Sequence, residues 1–355
     1  MGPRAALIAL FLSLLWGGNV VALKMGLDAV PPLWSAFWRM LLGLPLIVAW
    51  ARIEGTSLRL ERGEWRSVGI LAVVFGSQIT ALNFATNFTS PAFSVVLLNS
   101  SPVFTNLVAH FFVAGDRLSV KRSVGLTIAF FGICVVFLGR PPEALASAPV
   151  LGNTLAVISA LVVSGRMVYT QKLVQIMPST RAVFWQVVLA ELIFLSGALL
   201  FEPMTVGPLT ARAIGGLLYQ GVIVAGIGFI LWVRLLHDHA PGVISVFGFP
   251  TPLFGVLFSA LLFAEPLSIT LVIGMLFVAT GILIVTLEKR DRTVALEIIE
   301  ATEADGSPSA FGAARPDSKL EKGLQSGAID VAAAQHANHA PPQRRFRAPR
   351  PQRRE

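Results

Sequence analysis

The chain has 355 residues, of which 54% are apolar and 14% charged, and its formal net charge is +8. Soluble domains carry about 25% charged residues, so this chain lacks the polar surface that would coat a globule in water. The positive charge does not point to nucleic acid, because the basic residues lie in short loops and at the C-terminus and form no stripe on one element.

About 20 consecutive apolar residues cross the hydrocarbon of a bilayer as a helix. Ten segments qualify: 5–26, 32–51, 66–88, 90–114, 121–139, 150–171, 181–201, 213–235, 241–264 and 268–287. The first is longer than a signal-peptide core and has no small-residue cleavage site, so it reads as a span. It carries Trp16, Asn19 and Lys24. Trp16 either packs as core or offers a π-face to a cationic or aromatic substrate. Lys24 lies near the outer end, where it either snorkels to the interface or serves a gate. The second segment places Arg39 seven residues in, roughly 10 Å deep at 1.5 Å per residue. An arginine there either ties backbone carbonyls or binds a substrate carboxylate or phosphate, groups that match its guanidinium fork.

Gln78 and Asn83 follow in the third segment, Asn99 in the fourth and Gln220 in the eighth. Such amides either hydrogen-bond across helices or line a path. Pro102 in the fourth segment and Pro252 in the ninth are expected mid-helix, preceded by Asn99–Ser101 and Gly248–Thr251. Proline removes a backbone hydrogen bond, so kinks at both positions are expected to mark a central site. The single cysteine, Cys134, forms neither an internal disulfide nor a metal site. Arg166 and Glu191, on the sixth and seventh segments, either bridge each other or act separately, Arg166 at an anion site and Glu191 as a proton carrier. The run His237-Asp238-His239 reads as a solvated loop, with no further ligand cluster to make it a metal site. The four ionisable groups inside spans, Lys24, Arg39, Arg166 and Glu191, sum to +2, which favours anionic or zwitterionic substrates.

Basic residues favour cytoplasmic loops. With the N-terminus inside, the cytoplasmic segments hold fourteen basic residues and the outer loops only Arg140 and Arg212. Both termini are therefore expected in the cytoplasm. Residues 288–355 have few large apolar side chains and are expected to be a disordered cytoplasmic tail. The arginines at its end, Arg344 to Arg354, either meet anionic headgroups or are simply solvated.

The chain also repeats itself. A shift of 147 residues puts Gly18 on Gly165, Val21 on Val168, Pro31 on Pro178, Phe37 on Phe184 and Trp38 on Trp185. A shift of 150 puts Pro91 on Pro241, Pro102 on Pro252 and Phe104 on Phe254, and a shift of 149 puts Gly125 on Gly274 and Gly132 on Gly281. The copies are residues 1–139 and 140–287, each with five segments. Five is odd, so the second copy must enter the bilayer from the opposite side. The loop GDRLSVKR after the fourth segment is basic, whereas its counterpart EPLSIT has no basic residue, as opposite compartments require. Inverted repeats are the architecture of alternating-access carriers.

The matching residues resemble the drug/metabolite transporter superfamily in its EamA-type branch. They are LLWGGNVVALKMGL (Leu14–Leu27), FWRMLLG (Phe37–Gly43) and PGVISVFGFPTPLFGVLFSALLFAEPLS (Pro241–Ser268), with the glycine-spaced tenth segment. The resemblance covers residues 5–287. It implies ten transmembrane helices around a central cavity with the fifth and tenth peripheral. The acidic residue usual before the fifth helix stands here as Asp116 rather than Glu.

The expectation is an all-α protein of a bacterial inner membrane, a secondary transporter that exports small metabolites such as amino acids. Its partners are the bilayer, a small zwitterionic or anionic substrate and a coupling proton, with no cofactor and no nucleic acid. Substrate contacts are expected from Trp16, Asn19, Arg39, Gln78, Asn83, Asn99, Arg166 and Gln220, and gating or coupling from Lys24, Pro102, Glu191 and Pro252. The absence of a P-loop speaks against direct ATP drive. A flippase of lipid-linked substrates on the same scaffold is an alternative. A membrane-embedded enzyme is a weaker one, since the chain has no HExxH, GxSxG or paired-carboxylate motif.

Overall fold

The computed structural model describes residues 3–112, 119–139, 141–174, 176–204, 206–228 and 250–304, with Leu231 and Leu235. All regular structure among them is helical. In chain order the helices are α1 (Pro3–Leu27), α2 (Pro32–Ile53), α3 (Glu64–Phe88), α4 (Pro91–Leu98), α5 (Ser101–Phe112), α6 (Val120–Leu138), α7 (Pro149–Leu173), α8 (Ser179–Phe201), α9 (Ala211–Leu218), α10 (Thr251–Phe263) and α11 (Ile269–Ala304). Prolines open α2, α4 and α7, where the missing N–H has no helical partner to lose. Ser90, Ser119 and Thr210 cap α4, α6 and α9 by accepting from the amides of Phe93, Arg122 and Ala213.

Among the described residues, seven helices are long and apolar enough to cross a membrane, and α10 and the apolar part of α11 are shorter. Large apolar side chains such as Leu138, Leu200 and Phe201 remain exposed. Arg39, Gln78, Asn83 and Gln220 are buried instead. That arrangement inverts a water-soluble fold and suits a hydrocarbon solvent.

Three spans depart from the expected form. The fourth, expected as one helix over 90–114, is two helices separated at Asn99 and Ser100. Pro102 has no N–H to offer the Leu98 carbonyl, and the side chains of Asn99 and Ser100 donate back to the carbonyls of Val95 and Leu97. The break is therefore written by three neighbouring residues. Pro102 and Pro252 do not kink continuous helices at their centres; each is the second residue of a helix, α5 or α10. The eighth span passes from α9 into a π-helical stretch, Tyr219–Gly228, a geometry that concentrates at functional sites. The tenth helix continues past the expected boundary at Leu287 to Ala304. Residues 288–304 hold four Glu and three Ala, good helix formers. Residues 305–355, the run His237-Asp238-His239, Asp116 and Pro241 lie outside the described residues.

Helix α1 packs on α10 and on α9 with its π stretch, and α7 packs on α3, α4 and α5. Helix α2 contacts α8 and the π stretch, α3 contacts α8, and α6 pairs with α11. The α6–α11 seam is glycine against backbone. A Cβ on Gly132 would lie 2.7 Å from the Gly274 carbonyl oxygen, and one on Gly125 3.0 Å from that of Gly281. Gly132 meets Gly274 and Gly125 meets Gly281, so the two helices run antiparallel.

One tie between distant parts of the chain is a charged cap. The Glu202 carboxylate, just after α8, accepts from the amides of Leu33 (2.9 Å) and Trp34 (3.1 Å) in the first turn of α2. A carboxylate at that position also complements the helix dipole. Glu202→Ala strands two backbone donors and is expected to destabilise the protein by about 1–3 kcal/mol. The readout is a lower thermal midpoint in detergent, with Glu202→Gln intermediate; an unchanged midpoint would remove the cap from the account.

Candidate functional site

Buried polar groups gather in two places. The first lies between α1, α2 and the π stretch. Arg39 is 6% exposed, and its Nη1 donates to Gln220 Oε1 at 3.5 Å. Gln220 is held in turn by the carbonyls of Ala22 (3.2 Å) and Gly216 (3.3 Å). The Arg39 Nε has no hydrogen-bond partner among the described residues. Tyr219 donates its hydroxyl to the Leu15 carbonyl at 2.9 Å and packs with Trp16 in one apolar cluster. Asn19, one turn from Leu15 and Trp16, leaves its Oδ1 without a hydrogen-bond partner among the described residues.

The second place lies between α3, α7 and α8. The Arg166 guanidinium sits 5.3 Å from the centroid of the Phe75 ring, a cation–π contact. Its Nε is buried and has no hydrogen-bond partner among the described residues. On the opposite face of α7, Ser164 donates to the Ser101 carbonyl at 2.8 Å, tying the helix to the break in the fourth span. Glu191 on α8 is 8% exposed, and neither carboxylate oxygen has a hydrogen-bond partner among the described residues. The Arg166–Glu191 bridge, one of the two alternatives, does not form; Arg166 turns to the Phe75 face instead.

The other expected polar residues make hydrogen bonds within the protein. Gln78 donates to Ser159 (3.3 Å), which donates back to the Gln78 carbonyl (3.1 Å), joining α3 to α7. Asn83 donates to the Pro32 carbonyl at 2.7 Å. Asn99 bonds within its own helix, as described above. Four backbone carbonyls surround the Lys24 ammonium.

Four polar positions, Glu202 among them, were not anticipated. Glu265 is 3% exposed; its Oε2 accepts from the Ala92 amide and the Ser259 hydroxyl, and its Oε1 has no hydrogen-bond partner among the described residues. Glu202 and Glu265 share a signal, an acidic residue that directly follows an apolar run and precedes proline. Arg181, at the start of α8, donates to the Ser57 carbonyl and pairs with Glu61 and Glu64, clasping the α2–α3 loop. Thr180 beside it donates to Glu54 at 2.6 Å.

Taken together, the arrangement can do two things. Arg39 offers a desolvated cation with an uncommitted donor, suited to a carboxylate or phosphate. Glu191 offers a buried carboxyl group with no hydrogen-bond partner among the described residues, suited to carrying a proton. Among the described residues, no group of three His, Cys, Asp or Glu side chains is placed to hold a metal.

Comparison with known proteins bears on the same regions. The model of the EamA-like transporter family matches residues 3–138 and 150–287. The chain is 22% identical over 271 residues to the uncharacterized transporter YoaV of Bacillus subtilis, covering 76% of this chain and 92% of that protein. It is 25% identical over 298 residues to a "probable amino-acid metabolite efflux pump" of Escherichia coli, covering 80% and 95%. One solved crystal structure shares the fold with a TM-score of 0.59 at 20% identity, covering 81% of this chain and 97% of the other.

Proposed function

The chain belongs to the EamA-like transporter family, and from that premise we propose that it is a secondary carrier that exports amino acids or related zwitterionic or anionic metabolites by alternating access. The observation that carries the reading is the buried Arg39 guanidinium, held by Gln220 and still with an uncommitted Nε. A substrate carboxylate supplies the missing acceptor. The efflux-pump relative supports amino acids as the class to test first.

Two inverted five-helix halves are part of the proposal. The antiparallel α6–α11 seam supports it, since Gly125 and Gly132 are the repeat counterparts of Gly274 and Gly281. Exchanging the halves maps each glycine contact onto the other. The same exchange maps α1 on α10 onto α7 on α5, and α2 on the π stretch onto α8 on α3. The distribution of basic residues supports a cytoplasmic membrane with both termini inside. In this reading Glu191 carries the coupling proton.

A ligand that binds only the folded state at 100 times its Kd adds about 2.7 kcal/mol of stability. Thermal unfolding of the detergent-solubilised protein against amino acids, organic acids, nucleotides and polyamines is therefore the test. The expected result is stabilisation by a carboxylate-bearing metabolite that Arg39→Ala abolishes and Arg39→Lys restores in part. Stabilisation by polyamines alone, or stabilisation that survives Arg39→Ala, sinks the assignment of Arg39. A second reading, transport of lipid-linked substrates, is favoured by one feature, the apolar crevice between α3, α7 and α8 lined by Val73, Phe84, Phe88, Leu155 and Ile193. Stabilisation by lipid-linked substrates and by no soluble metabolite selects it.

A further inference from the structure

Lys24 has more acceptors than it can use. Its Nζ lies 2.9 Å from the Thr86 oxygen, 3.1 Å from that of Asn87, 3.2 Å from that of Thr89 and 2.9 Å from that of Leu145. An ammonium has three N–H donors, so four oxygens at nearly equal range form a coordination shell rather than a set of directed bonds.

The origin of the oxygens explains why they converge. Thr86, Asn87 and Thr89 end α3, where the last carbonyls have no helical amide to accept from. The helical partner of the Asn87 carbonyl would be the amide of residue 91, which is a proline. Leu145 belongs to the short 3-10 turn Glu143–Leu145 that precedes α7. The turn is docked to the same place by the Ala148 amide, which donates to the Phe88 carbonyl at 3.1 Å. The end of α3 also carries the negative pole of its dipole. Unwound or terminal carbonyls of this kind are what transporters use to hold cations from solution.

We propose that the carbonyl oxygens of Thr86, Asn87, Thr89 and Leu145 form a monovalent-cation site that the chain fills with its own tethered ammonium, Lys24. The tether joins α1 to the end of α3 and to the segment leading into α7, so this end of the bundle closes without an ion from solution. Ammonium and potassium ions are close in size, and sodium is smaller, so the vacated cage selects potassium over sodium. The proposal is independent of what the protein carries, because its readout is stability.

The test is Lys24→Ala, which removes the ammonium and leaves the cage. Thermal midpoints of wild type and variant are compared in potassium, sodium and choline chloride at equal ionic strength. Wild type is expected to be indifferent to the salt. The variant is expected to unfold several degrees lower in choline and to recover half or more of the loss in potassium, with less in sodium. A variant midpoint equally low in all three salts, or one equal to wild type in choline, overturns the proposal. If Lys24→Ala aggregates in every salt, Lys24→Gln decides: a potassium-dependent midpoint supports the site, and a salt-indifferent one overturns it.

Discussion

Glu191→Gln is expected to lower transport driven by a pH gradient by at least about tenfold, equivalent to about 1.4 kcal/mol, while exchange of substrate between the two sides continues. The carboxyl group lies in α8 with both oxygens buried and no hydrogen-bond partner among the described residues. With no donor among the described residues to hold its charge, each gain and loss of a proton must accompany a change in its surroundings. Glutamine copies the protonated form in shape and neutrality and cannot release the proton. A carrier locked in that form can still shuttle substrate both ways but cannot use the gradient. The measurement is uptake into proteoliposomes, with and without a pH gradient, of whichever metabolite stabilises the protein. Gradient-driven uptake that persists undiminished in Glu191→Gln would take the proton away from this residue.

Gly132→Ala is expected to weaken the fold through the α6–α11 seam. A Cβ there meets the Gly274 oxygen and the Val278 nitrogen, each at 2.7 Å. Both are backbone atoms, which cannot turn aside as a side chain does, so the helices must move apart. Overpacking of this kind costs about 1–3 kcal/mol. Joining it with Gly281→Ala, whose Cβ meets the Gly125 carbonyl and Ala129, blocks both crossing points and should leave little folded protein. The control is Gly69→Ala on α3, where an added Cβ meets nothing within 4 Å. That change should be neutral or stabilising by up to about 1 kcal/mol, the helix-propensity gain of alanine over glycine. Thermal midpoints in detergent that fall equally for Gly132→Ala and Gly69→Ala would show that the seam is not under steric control.

The helices themselves were legible because hydropathy is local. Runs such as Glu64–Phe88 and Ser179–Phe201 announce a span by composition. The break at Asn99–Ser100 was half legible. Pro102 signalled a lost hydrogen bond, but the back-bonding of Asn99 and Ser100 turned an expected kink into two helices. The site was less legible. Arg39 and Gln220 could each be singled out as polar residues in apolar spans, yet their contact joins positions 181 apart. Arg166 and Glu191 looked like partners because consecutive helices carry opposite charges, and the structure gives Arg166 an aromatic face instead.

The amino-acid sequence by itself determined the solvent of this protein, the extent of most spans, the glycine spacing of the α6–α11 seam and the set of costly polar residues inside the membrane. Each of these is a property of residues close together along the chain, read through a fixed helical period. Only the tertiary structure decided which of those polar residues are satisfied. Lys24 is enclosed by carbonyls from positions 62 to 121 residues away, Glu202 caps a helix 169 residues before it, and Glu191 is left with no hydrogen-bond partner among the described residues. Backbone carbonyls and amides are the same in every residue, so no local pattern tells which side chain will find them. The three-dimensional convergence of helix ends does.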